Sequence, residues 1–230
     1  FLGLDMSDQS GRSVSAAGDI NGDGFDDVII GAPFGDSSGV ASGESYVVFG
    51  FDLIGNATAI GDDGDNTLNG TAGADIIVAG AGNDEVNGGG GADVLRTGAG
   101  DDLIVVTDTT FQLLDGGRGQ DTLRLDGAGL SLDLTQISDN NVQGIERIDI
   151  TGSGDNSVRF NLLELLRLSD STNTLTIDAD ATDTVNIGTG WVLTGTTLID
   201  GDGFNVYTQG NAQLNISDVN TPNTDPIISG

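Results

Sequence analysis

The sequence predicts an all-β protein: a parallel β-roll, or β-solenoid, with a separate β unit before it and a β-rich cap after it. Three observations predict this. From Gly61 to Val105 the chain divides into nines, GDDGDNTLN, GTAGADIIV, AGAGNDEVN, GGGGADVLR and TGAGDDLIV, with Gly at the fourth position of every copy. The eighth position is always aliphatic: Leu68, Ile77, Val86, Leu95 and Ile104. Glycine is abundant, 38 of 230 residues, while aromatic residues make up 5%, a balance that suits turn-rich β structure rather than long helices. Beyond the repeats, apolar residues recur in alternating pairs, the period-2 mark of strands.

The order of elements gives four segments. Residues 1–50 form the first β unit, 51–124 the roll, 125–219 a solenoid or sandwich continuation that caps it, and 220–230 a linker to a following module. The first segment centres on Asp19-x-Asn21-x-Asp23-Gly24-x-x-Asp27. Four oxygen-bearing side chains fall there at alternate or near-alternate positions, Gly24 allows a sharp turn, and the Phe25 carbonyl can add a ligand. An EF-hand loop would place a Glu at its twelfth position. Here that position is Ile30, inside the run Val28-Ile29-Ile30, so the loop leads into a strand and its last acidic ligand is Asp27. Residues 51–60 join this unit to the roll without a proline-rich linker, which predicts close packing.

In the roll, nine residues make one turn plus one short strand. The sixth position carries Asp75, Asp84, Asp93 and Asp102, with Asn66 in the first copy. A sixth copy, Gly116 to Arg124, supplies Asp121 after an interruption at 106–114 that reads as an extra, longer rung. Successive strands fall on alternating sides, so the turns stack in two columns. Asn66, Asp84 and Asp102 share one column; Asp75 and Asp93 share the other. Asn66 is uncharged, and Thr71, Ala79 and Thr97 replace glycines, which predicts weaker sites at the first rung.

From Leu125 to Val219 the glycine turns thin out. A triplet persists: Asn66-Thr67-Leu68, Asp121-Thr122-Leu123, Asn156-Ser157-Val158, Asn173-Thr174-Leu175 and Asp183-Thr184-Val185. The alternating pairs are Leu132/Leu134, Ile148/Ile150, Val158/Phe160, Leu175/Ile177 and Val185/Ile187. These predict rungs with longer, metal-free turns, ending in strands near Val206-Tyr207 and Leu214–Ile216. LLELLRL at 162–168 is the one helix-like run. Asn161 can cap it, but its apolar positions are too dense for an exposed helix and predict a buried crossover turn. Trp191 reads as a core plug.

The nine-residue copies resemble the RTX (repeat-in-toxin) nonapeptide family. The loop at 19–27, followed by Gly31-Ala32-Pro33 and Val47-Val48-Phe49-Gly50, resembles an FG-GAP repeat, the blade of integrin-α-type propellers. One blade does not close a propeller; either further blades precede Phe1 or this one caps the roll. The resemblance implies several Ca²⁺ ions, held between neighbouring turns of a column and in the blade loop. The implied ligands are Asp19, Asn21, Asp23, Phe25 and Asp27, then Asn66, Asp75, Asp84, Asp93, Asp102 and Asp121. The combination resembles segments of large bacterial RTX adhesins and related surface proteins. That implies an extracellular, cell-surface module secreted by a type I system and folding on Ca²⁺ outside the cell. Its partners would be flanking modules of the same chain and a cell-surface or matrix ligand, glycan or protein. Two other readings are a secretion and folding domain of a secreted enzyme, and a Ca²⁺-dependent glycan-binding module.

Composition excludes several classes. There are 36 acidic and 7 basic residues, a net charge of −29, a surface that repels nucleic acid and anionic lipid. With no Cys and no His, Ser-His-Asp and Cys-His catalysis and the usual zinc and iron sites are absent. Most carboxylates sit in glycine-flanked turns rather than in a pair suited to glycoside hydrolysis, and no catalytic residue is assigned. No apolar run is long enough for a membrane span. Phe1 is not an initiator Met, and the sequence reads as a piece of a longer chain.

Overall fold

The computed structural model describes residues 10–18, 20, 26–34, 43–50, 57–138, 140–169, 172–218 and, for the backbone, 227–229. Asp19, Asn21, Asp23 and Phe25, and the joining residues 51–56, lie outside the described residues. The chain divides into two compact units, 1–56 and 57–230.

The first unit holds β1 (Ser13–Gly18), β2 (Asp27–Ala32) and β3 (Glu44–Val48) in one antiparallel sheet with β2 central. Asp27 and Ala32 at the ends of β2 are buried, while Ile29 of β2 and Val47 of β3 are exposed.

The second unit begins with β4 (Ala59–Ile60), β5 (Thr67–Asn69), β6 (Ile76–Ala81), β7 (Glu85–Asn87), β8 (Val94–Ala99), β9 (Leu103–Val106), β10 (Leu113–Asp115) and β11 (Thr122–Leu125). Alternate strands go to different sheets: β4, β6, β8 and β10 to one, β5, β7, β9 and β11 to the other. All the pairings are parallel. A residue therefore stacks on the residue 18 further along, two nonapeptides away.

Stacking at this spacing leaves no room for a side chain at several of the turn glycines. A Cβ on Gly119 would overlap the carbonyl oxygen of Gly100, and φ at Gly119 is +141°, so a side chain there would be strained as well. Between the turns, aliphatic side chains form continuous inward ladders. Leu68, Val86, Ile104 and Leu123 are in register in one sheet, and Ile77, Leu95 and Leu114 in the other. All but the partly buried Leu68 are fully buried.

The interruption at 106–114 is the longer rung that the sequence suggested: its strand, β10, pairs in parallel with β8 and puts Leu114 on Leu95. Asp102 reaches Asp121 across 19 residues instead of 18, so one residue is added and the turn absorbs it. The Asp108 carboxylate organises that turn, accepting the N–H groups of Thr110 at 2.8 Å and Gly91 at 3.0 Å.

The sheet does not stop at residue 124. After β12 (Ser131–Asp133) and β13 (Val142–Gln143), β14 (Arg147–Asp149) pairs in parallel with β11. Next come β15 (Ser157–Arg159), α1 (Leu162–Leu168), β16 (Thr174–Asp178) and β17 (Thr184–Asn186). β12, β15 and β17 form a third parallel stack, and β14 and β16 extend the sheet of β11. Steps lengthen to 25, 26 and 27 residues. All ten residues of the alternating pairs are buried.

Three features depart from the sequence reading. Residues 162–168 form a true α-helix, with the Asn161 side chain accepting the N–H groups of Leu163 and Glu164. Leu165 and Leu168 face the core, but Leu163 and Leu166 are exposed, so this is a surface helix rather than a buried turn. The chain also turns antiparallel: β18 (Val192–Ile199), β19 (Asp202–Gln209) and β20 (Ala212–Ser217) form a meander, and β20 pairs in parallel with β16. Trp191 packs on the core, partly buried, its Nε1 donating to the Ile187 carbonyl at 2.8 Å. Residues 219–226 lie outside the described residues. β21 (Ile227–Ser229), expected to lie beyond this unit, pairs in parallel with β17 and extends the third stack.

Candidate metal centre

Each position-six side chain sits where a turn enters a strand. In one column the carboxylates chain through the backbone. The N–H of Asn66 donates to Asp84 Oδ1 at 2.8 Å, that of Asp84 to Asp102 Oδ1 at 2.7 Å, and that of Asp102 to Asp121 Oδ1 at 3.0 Å. The N–H of Asp121 then donates to Glu146 Oε2 at 3.0 Å. In the other column the Asp75 N–H donates to Asp93 Oδ1 at 3.0 Å, and the Asp93 N–H bonds back to the Gly91 carbonyl. Asp75, Asp84, Asp93, Asp102 and Asp121 are all buried.

The second carboxylate oxygen separates these residues. Oδ2 of Asp84, Asp102 and Asp121 is buried with no hydrogen-bond partner in the protein. An ionised oxygen in that state is costly unless a cation or proton meets it. Burial accordingly raises all three carboxyls, Asp102 to about 6 and Asp121 to about 8. Burial raises Asp93 as well. Asp75 is the opposite case: its Oδ2 accepts the Thr71 N–H at 2.6 Å and the Thr71 hydroxyl at 2.9 Å, and the Thr71 N–H holds its carboxyl below the usual value. Asn66 is also satisfied, its amide exchanging hydrogen bonds with the Asp62 N–H and carboxylate.

These residues fit a hard cation. The three orphaned oxygens belong to one column, and the turns around them are glycine-rich, with carbonyls where side chains would otherwise project. Among the described residues no three acidic side chains converge on one point, so carbonyl oxygens would complete the ligand set. Oxygen-only coordination of that kind suits Ca²⁺, which accepts six to eight oxygens in flexible geometry. Mg²⁺ demands a tighter octahedron.

Beyond residue 146 the same places are filled by protein groups. Asn156 Oδ1 accepts the Leu130 N–H at 2.8 Å, while its Nδ2 donates to the Ile150 carbonyl at 3.1 Å. Asp183 accepts the N–H groups of Asn156 and Asp180, one on each oxygen. Ion pairs bridge adjacent strands, Arg124 with Asp149, Arg147 with Asp178 and Arg159 with Asp133, and Arg147 also meets Asp200 in the turn between β18 and β19.

In the first unit only Asp27 of the loop ligands falls among the described residues. Its carboxylate closes the loop, accepting the Ile20 N–H at 2.7 Å and the Gly50 N–H at 2.8 Å.

Sequence reasoning missed a second ladder. Asn83 donates its N–H to Asp65 Oδ1, Asp101 to Asn83 Oδ1, and Gln120 to Asp101 Oδ1, at 2.8–2.9 Å. These are position-five residues, and they line an open groove of about 800 Å³ beside the long column. The signal was present at twice the repeat length: position five alternates between polar residues and Ala74 or Ala92. Glu146 was missed because it belongs to no nonapeptide copy.

The FG-GAP repeat model matches residues 10–48. The model for the RTX calcium-binding nonapeptide repeat (4 copies) matches residues 60–95 and 69–104. No curated protein and no solved structure matches the chain. The RTX repeats indicate calcium binding, and both repeats are typical of extracellular or secreted proteins. Among the described residues no helix is long and apolar enough to cross a membrane.

Proposed function

We propose that this chain, which carries both repeats, is a non-catalytic, calcium-binding structural module of a large secreted bacterial surface protein, folding and stiffening when Ca²⁺ binds outside the cell. Its role is adhesive: it supports flanking modules of the same chain, which meet a glycan or protein on a cell surface or matrix. The observation that carries the calcium reading is the stack of partnerless buried oxygens on Asp84, Asp102 and Asp121. Ca²⁺ bound there would supply the positive charge that the carboxylates lack and tie consecutive turns together. The chain's own part is to bury the oxygens, hold them in register through the N–H ladder, and keep glycines where the turns pack closest. Asp93 belongs to the second column. Asp75 is a weaker ligand because Thr71 already engages it, and Asn66 is weaker because Asp62 does.

The test is circular dichroism of the full chain in chelator and across a Ca²⁺ titration. Weak β signal in chelator and a cooperative gain with Ca²⁺, poorly reproduced by Mg²⁺, is the expected result. A complete β spectrum in EDTA contradicts the proposal.

A further inference from the structure

We infer that Glu146 closes the long carboxylate column and, with Asp121 and the Gly144 carbonyl, forms a terminal site for a hard divalent cation of calcium's size. The inference rests on the calcium reading of the column itself. Nothing in the local sequence announces the site. Gly144-Ile145-Glu146 is not a nonapeptide turn, and it lies 25 residues from Asp121 rather than 18 or 19. Yet the Glu146 carboxylate does what each position-six Asp does. It accepts the N–H of the preceding member of the column, Asp121, at 3.0 Å, as Asp121 accepts that of Asp102.

The second observation is the orphaned oxygen. Asp121 is 0% exposed and Glu146 is 7% exposed, so both carboxylates are buried, with Glu146 one hydrogen bond from the Asp121 backbone. Asp121 Oδ2 has no partner in the protein. It lies near the Gly144 carbonyl oxygen: a Cβ on Gly116 would sit 2.7 Å from Asp121 Cβ, 2.8 Å from its Oδ2 and well inside contact with that carbonyl oxygen. A carboxylate oxygen and a carbonyl oxygen are thus close neighbours at a glycine. The partnerless Asp121 oxygen and a carbonyl call for a positive partner, and the donors are all oxygen, which selects a hard cation. At Asn156 the corresponding job is done by an amide NH₂ donating to a carbonyl. Asp121 has no such group. The site would join the last nonapeptide to the first longer coil, at β11 and β14.

The experiment is a calorimetric Ca²⁺ titration of the full chain and of Glu146→Gln, with terbium luminescence as a second count. The amide keeps an acceptor for the Asp121 N–H but loses the charge. The expected result is one ion fewer per chain, or a tenfold or greater loss of affinity at one site, with an unchanged β spectrum in saturating Ca²⁺. Unchanged stoichiometry and affinity overturn the terminal site. Asp102→Asn, run in parallel, separates the two readings. Loss there with Glu146→Gln unaffected defeats the terminal site alone, whereas an unaltered chain that binds no Ca²⁺ defeats both. Should Glu146→Gln fail to fold, Glu146→Asp is titrated instead: a tenfold weakening at one site supports the assignment, and wild-type binding overturns it.

Discussion

Asp75 and Asp102 hold the same place in the nonapeptide, and their neighbours give them opposite chemistry. Thr71 fills the free oxygen of Asp75 and lowers its carboxyl. Asp102 keeps a bare oxygen, and burial raises it to about 6. Without metal, the raised carboxyls make the fold sensitive to pH in a definite direction. The folded chain binds those protons more tightly than the unfolded chain, whose carboxyls titrate at 3.8. Their contribution is full below that value and is lost as pH rises through about 6 for Asp102 and about 8 for Asp121. Metal-free protein should therefore show a falling urea midpoint between pH 4 and 9. Ca²⁺ should reverse the trend, because it needs the ionised carboxylates; a rising midpoint without metal contradicts the reading. Asp102→Asn should act with two signs. At pH 8 it should stabilise the metal-free chain by about 1–3 kcal/mol, since it removes a buried charge. It should also weaken Ca²⁺ binding. Melting with and without Ca²⁺ measures both.

Among the elements, the inward ladders were the most legible part of the sequence. An aliphatic residue at every ninth position, read with strand alternation, places Val86, Ile104 and Leu123 in one file and Ile77 and Leu95 in the other. Parallel stacking continues the first file through Ile148, Ile177 and Ile216, all fully buried. Leu123→Ala should cost about 2–5 kcal/mol in urea unfolding with Ca²⁺ present. Arg147→Ala, which removes partly exposed ion pairs to Asp178 and Asp200, should cost about 1 kcal/mol or less; a larger loss for Arg147 would mean that the ion pairs outweigh the core. Other elements were illegible for physical reasons. Val192–Ile199 has no strict alternation because most of β18 is exposed, so that first strand of the meander left no period to read, while β19 and β20 were legible near Val206-Tyr207 and Leu214–Ile216. The leucine density at 162–168 hid a surface helix, because Leu163 and Leu166 stay in solvent. Of the candidate site, the position-six residues and their two columns could be read from spacing alone. Which oxygens lack partners could not, since that depends on Thr71, Asp62 and a glutamate from an unrelated turn.

For the molecule as a whole, charge frames the account. A net charge of −29, with every basic residue an arginine, works against any compact state unless cations enter. Two means of neutralisation divide the second unit. Up to Glu146 the long column presents buried oxygens without partners. Beyond it, amides, backbone N–H groups and arginines meet the carboxylates. Calcium dependence should therefore be uneven along the chain. The most direct measurement is backbone hydrogen exchange of the full chain, followed by mass spectrometry, in EGTA and in saturating Ca²⁺. Amides of residues 61–124 should gain the most protection from Ca²⁺, led by the N–H groups of Asp84 and Asp102. Equal protection of those residues in both conditions would contradict this.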